Sequence, residues 1–194
     1  MNACIPSTRS GVANASATVM VDDVEVTVDT DPATDAPAGP GGSGPATKTW
    51  VDANITIGPD GRNPVNAPHT FTVTVEADNG AGFAPVSGVT VTPAITNSLG
   101  ATSTITGGTC TTTVTDAAGQ CTITVSSPTT GHTTVNASAT LTINGQVGSA
   151  TVSRSTATNP GTGGTGPSVK TWVDASITIT PSDTAEVGGT LTFI

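Results

Sequence analysis

Apolar and polar positions alternate along much of this chain in short runs, and each run stops at a cluster of turn-forming residues. A period of two puts every second side chain on one face, which is the pattern of half-buried strands. The clearest runs cover residues 50–57, closed by Gly58-Pro-Asp-Gly61, and 70–76, where Phe71, Val73 and Val75 share a face. Asp78-Asn-Gly80 ends the second run, and further strands are predicted over 86–95, 101–106, 110–115 and 121–126. The last two flank Asp116-Ala-Ala-Gly-Gln120. Residues 133–143 and 147–154 are predicted to form a hairpin across Asn144-Gly145, a dipeptide suited to type I′ turns. Asp22-Asp23 takes the same place near the N-terminus. No window carries a helical period.

The runs are duplicated. Gly44-Pro-Ala-Thr-Lys-Thr-Trp-Val-Asp-Ala returns as Gly166-Pro-Ser-Val-Lys-Thr-Trp-Val-Asp-Ala, and Asn14-Ala-Ser-Ala-Thr returns as Asn136-Ala-Ser-Ala-Thr. Both offsets are 122 residues (170 − 48 and 136 − 14). Seven or eight strands per unit, with turns between them, predict an all-β, immunoglobulin-like antiparallel β-sandwich in tandem array. One complete domain is expected over 48–158, flanked by two partial ones. Residues 1–37 read as the C-terminal part of a preceding repeat, and 169–194 as the first strands of a following one. The Gly/Pro/Thr-rich stretches 38–47 and 159–168 read as linkers. The chain is expected to be a slice of a longer protein.

Asp116-Ala-Ala-Gly-Gln-Cys-Thr-Ile-Thr-Val125, then Gly131, then Val135-Asn-Ala-Ser-Ala-Thr140, resembles the bacterial Ig-like repeats of surface proteins, the invasin- and intimin-type stalk domains. The strand patterns of 70–75 and 86–91 also fit, and the cysteines depart from the commonest form of the repeat. The resemblance implies an extracellular array that spaces or displays something.

Composition narrows the chemistry. Charged residues are 10% of the chain and aromatics 3%, while β-branched Thr and Val suit pleated strands. A net charge of −9 with five Lys and Arg disfavours nucleic acid, and no apolar run reaches the roughly 18 residues that span a bilayer. Cys110 and Cys121, either side of a turn, are expected to form a disulfide; two free buried thiols or a pair of metal ligands are the alternatives. Cys4 reads as the second cysteine of the preceding unit. The repeated Lys48, Trp50, Asp52 and Lys170, Trp172, Asp174 are expected at domain junctions, where a large ring fixes orientation. Asp52, Asp174, Asp29, Asp31 and Asp35 offer oxygen ligands for calcium, but the second linker lacks matching acids, so no metal is expected. A Lys48–Asn136 isopeptide needs a buried acid that no position supplies. Asn14, Asn54 and Asn136 open N-x-[ST] acceptor sequences and are candidate glycosylation positions. His69 and His132 read as surface strand residues, with no catalytic set and no cofactor around them.

The expected role is therefore a structural repeat of an extracellular or cell-surface stalk or fibre. Neighbouring repeats, and identical chains in a fibre, would be its partners. The alternative is an adhesin domain that binds glycan or a surface protein.

Overall fold

The computed structural model describes residues 11–34, 38–179 and 186–189. Near the N-terminus, β1 (Gly11–Ala13) pairs antiparallel with β4 (Ala46–Lys48), and β2 (Ser16–Val21) pairs with β3 (Val24–Asp29). The β2–β3 turn places Asp22 and Asp23 at φ 50° and 61°, the left-handed pair that a two-residue type I′ turn requires.

The remaining strands form two packed, open sheets. The first runs β10 (Thr104–Gly107), β11 (Gln120–Ser126), β7 (His69–Asp78), β5 (Asp52–Gly58), with β8 (Phe83–Pro85) also on β7. The second is centred on β12 (Gly131–Asn144). One edge of β12 carries β9 (Val91–Ser98); the other carries β13 (Ser149–Ser155) and then β14 (Ser168–Val173). β6 (Gly61–Pro64) closes this sheet, parallel to β14. Order and pairing are those of a generic immunoglobulin-like sandwich.

Alternation decides which face goes inward. Phe71, Val73 and Val75 on β7 meet Ile55 and Ile57 of β5, Ile123 and Val125 of β11, and Val135, Leu141 and Ile143 of β12. Each such side chain contributes about 1.5–3 kcal/mol by leaving water. The outward positions of β7 and β11 are mostly threonine, and Thr70 and Thr124 bond across the ladder at 2.9 Å.

Three expectations change. Residues 110–115 are not a strand; they open on a 3₁₀ turn, Thr109–Thr111, entered through Gly108 at φ 110°. At Gly108 a Cβ would lie 2.3 Å from the Thr122 carbonyl oxygen, so only glycine lets the turn pack on β11. The β12–β13 turn is not a two-residue turn on Asn144-Gly145: Asn144 pairs with Ser149, residues 145–148 form the loop, and the left-handed residue is Gly148.

The third change concerns the unit's end. Ser168–Val173, which straddles the end of the expected linker and the expected first strands of the next repeat, is hydrogen-bonded between β12 and β6. The stretch expected as a linker before it lies along the edge of β5. Ile55 N–H donates to the Pro160 carbonyl at 2.9 Å, Thr165 N–H to the Ile55 carbonyl at 3.2 Å, and Ile57 N–H to Thr165 Oγ1 at 2.9 Å. A strand edge carries unpaired backbone groups that need cover, and a Gly/Thr segment without bulky side chains supplies it. From Asp52 to Val173 the sandwich spans 122 residues (173 − 52 + 1), the same as the repeat offset.

Candidate functional site: the seam between the first and last strands of the second sheet

β14 is short, yet its inward residues are Ser168, Lys170 and Trp172, all buried. Trp172 is 1% exposed, and its Nε1–H donates to Thr133 Oγ1 on β12 at 2.9 Å. Thr133 in turn donates to Asn97 Oδ1 at 3.0 Å and lies within hydrogen-bonding distance of Ser103 Oγ. Asn97 Nδ2 donates to the Ser103 carbonyl at 3.0 Å. The buried indole donor and hydroxyls are thereby satisfied.

Lys170 is fully buried. Its Nζ donates to Asn63 Oδ1 on β6 at 2.7 Å and stands 5.4 Å from the Trp172 ring centroid. Asn63 is held at its other end, where Nδ2 donates to the Pro68 carbonyl at 3.1 Å. His69 closes the cluster from β7; its Nε2 lies 3.1 Å from the Pro59 carbonyl and its ring meets Phe71 edge-on at 4.7 Å. Gly61 is the floor: a Cβ there would sit 2.9 Å from Lys170 Nζ and 2.7 Å from His69 Cε1. Burial pushes the Lys170 ammonium below the usual lysine range, because desolvation favours the neutral amine.

Sequence reasoning grouped Lys170 and Trp172 with a junction; the structure puts both in the interior, because alternation along β14 turns them toward β7 and β12. His69, expected at the surface, is half-buried in this cluster. A lysine two residues before a tryptophan, duplicated with it, shares that tryptophan's face of a strand; this was the signal for its burial. Nothing in the sequence pointed to Asn63, which sits in a four-residue strand without apolar alternation. The Lys48–Asn136 pairing does not form: Lys48 is an exposed end of β4, while Asn136 lies on β12 opposite Ala94.

The other residues occupy separate places. Lys48 Nζ stands 5.3 Å over the Trp50 ring, the same pairing as in β14. Trp50 is half-buried and its Nε1 is buried without a hydrogen-bond partner. The register explains this: Gly11 pairs with Lys48 where Thr133 pairs with Lys170, so glycine stands where β12 offers a hydroxyl. Asp52 forms an ion pair with Arg154, whose Nε also donates to the Ala53 carbonyl at 2.6 Å. Partial burial works against the Asp52 carboxylate. The Arg154 hydrogen bond, the Ala53 N–H and the Arg154 charge outweigh it and hold the pKa below the ordinary value. Asp174 is exposed and accepts from the Ala175 N–H at 2.8 Å. Asn54 is only 3% exposed; its Nδ2 donates to Glu76 and to the Thr162 carbonyl, which ties β5 to the covering segment. Asn136 is half-buried and Asn14 exposed. Asp29 accepts from the Asp31 N–H at 2.8 Å, and among the described residues no three His, Cys, Asp or Glu gather in one group. Cys4 and Asp35 lie outside the described residues.

Cys110 and Cys121 form a disulfide, with Cα atoms 5.0 Å apart and both side chains buried. It staples the 3₁₀ turn to β11 across a loop of 11 residues, a closure worth about 3 kcal/mol. A groove of about 420 Å³ on the outer face of the second sheet is lined by Thr92, Thr140, Ser153 and Arg154. A second, of about 510 Å³, lies between Phe83 on β8 and the end of β12. Compared with protein-family models, curated proteins and solved structures, the chain finds no match in any of the three.

Proposed function

We propose that this sandwich is a structural repeat of an extracellular or cell-surface stalk or fibre, joined end to end to further copies of itself. One observation carries the reading: β6 and β14 are parallel. The chain enters at the start of β5 and leaves at the end of β14, so entry and exit lie at opposite ends of the sandwich. Val173 is followed at once by Asp174, the counterpart of Asp52 where β5 begins. On this reading the last strand of one unit runs into the first of the next with no free linker. The connecting residues also pack: Thr49 is buried, and at Gly145 a Cβ would lie 2.9 Å from Thr49 Cγ2 and 3.4 Å from Val51 Cγ1.

The resemblance to invasin- and intimin-type repeats supports the same role, and its motif residues fall on the β11 turn, β11 and β12. The disulfide favours an oxidising compartment. With β12 fourteen residues long, each unit should add about 45 Å. Small-angle scattering on one, two and three consecutive units tests this. A rod lengthening by that step supports it, and compact or freely jointed particles overturn it. A second reading, an adhesin domain for glycan or a surface protein, is favoured by the groove beside Phe83, whose ring is partly exposed. Saturable glycan or cell binding lost in Phe83→Ser would favour it over the spacer.

A further inference from the structure

The Lys170 cluster is more than the fold requires. A buried ammonium is costly unless a carboxylate pairs with it. Here the contacts of Lys170 are the Asn63 amide, 2.7 Å away, and the face of Trp172. At 122 positions beyond Asn63 and His69 the sequence has Ala185 and Leu191.

We propose that Lys170 and Asn63 are the two halves of an intramolecular isopeptide cross-link between β14 and β6. The free amine of Lys170 attacks Asn63 Cγ. A C–N bond forms, the bond from Cγ to Nδ2 breaks, and ammonia leaves. The proton lost by the attacking nitrogen passes to the departing one, and His69, whose ring and the Lys170 Nζ both crowd Gly61, is assigned as its carrier in place of the buried acid that the Lys48–Asn136 pairing lacked. Atoms and charge balance with no oxidant or other reactant. Three features favour the step: desolvation of the amine, the Asn63 side chain fixed at both ends, and replacement of a buried cation by a neutral amide. Asn63 precedes Pro64. Proline has no backbone N–H, so the competing loss of ammonia through a succinimide is closed at this residue.

The bond would join the strands nearest the entry and exit of the unit. Tension along the chain would then bypass everything between residues 63 and 170. This deepens the stalk reading and rests on it for its purpose, not for its chemistry.

Denaturing mass spectrometry of the full chain tests the proposal. Reduced, so that the disulfide removes no hydrogen, the protein should weigh about 17 Da less than its sequence, and digestion should yield a branched peptide linking Lys170 to Asn63. Asn63→Ala should restore the full mass. His69→Leu, the residue of the second copy, should slow or abolish the link while the circular dichroism stays unchanged. A full mass, with Lys170 quantitatively labelled by an amine reagent after unfolding, overturns the proposal and leaves the scattering test of the stalk untouched. Complete linkage in His69→Leu overturns the part given to His69.

Discussion

Two tryptophans in identical sequence surroundings should differ sharply when each is removed. Trp172→Ala empties a site that is 1% exposed, and large-to-small changes of a buried aromatic cost about 3–5 kcal/mol. Thr133 Oγ1 loses its indole donor, which adds up to about 1 kcal/mol because its other bonds survive. Lys170 loses the ring beside it, for about 1 kcal/mol more. The expected loss is about 4–7 kcal/mol, a large share of the 5–15 kcal/mol that holds a typical domain together. Trp50→Ala removes a half-buried ring whose indole N–H already lacks a partner, and should cost the sandwich under about 1 kcal/mol. Urea unfolding of the full chain, followed by far-ultraviolet circular dichroism, reads both. With a slope of about 2 kcal/mol per molar, the midpoint should fall by about 2–3.5 M for Trp172→Ala and by less than about 0.5 M for Trp50→Ala. The comparison should be made in the Asn63→Ala background, so that no cross-link masks it. Equal, small shifts would refute the assignment of β14 to this sandwich and return Trp172 to a junction.

Other consequences are as direct. Replacing Cys110 and Cys121 by alanine, or reducing them, should lower stability by about 3 kcal/mol, and a non-reducing peptide map should contain the linked pair. Asp52 has a folded pKa below its unfolded value, so its contribution is complete above the unfolded pKa and disappears as pH falls through the folded one. Acid titration of stability should therefore lose one carboxylate step in Asp52→Asn, and an unchanged profile counts against the Arg154 pair. Gly161→Ala places a Cβ 2.1 Å from the Ala53 carbonyl oxygen at φ +84°. It should lift the covering segment and speed hydrogen exchange at the Ile55 amide, which Pro160 now protects. In a glycosylating host, Asn14 is the sequon open to modification, and sugar on Asn54 would contradict its burial.

Legibility followed the strength of alternation. β7 and β12 present long apolar faces, so their existence and inward residues were readable from the sequence. The disulfide was readable because two cysteines lay close on either side of a turn, although the strand expected for Cys110 is a 3₁₀ turn. β14 was misplaced because two of its three inward residues are serine and lysine, so periodicity offered no apolar face to assign. β6 gave no pattern at all, since a four-residue strand of Gly, Arg, Asn and Pro is defined only by the neighbour it pairs with. The covering segment was misread for a related reason. Glycine, threonine and proline suit a free linker and a close backbone approach equally well, and only the β5 edge distinguishes the two.

The misplacement of β14 also bears on what kind of repeat this is. In the N-terminal copy Gly11, Val12 and Ala13 pair with Lys48, Thr47 and Ala46; in the second, Thr133, Thr134 and Val135 pair with Lys170, Val169 and Ser168. The register is the same although the residues facing the block differ, so the Lys-Thr-Trp block behaves as the closing strand of what precedes it in both places. Trp172 then belongs to the core behind it, while two residues later Asp174 repeats the position from which Asp52 grips Arg154. Three residues, 49–51, separate the end of β4 from the start of β5, and Thr49 among them is buried, so bending there would disturb packed residues. The stiffness that the proposed spacer requires would follow from that packing.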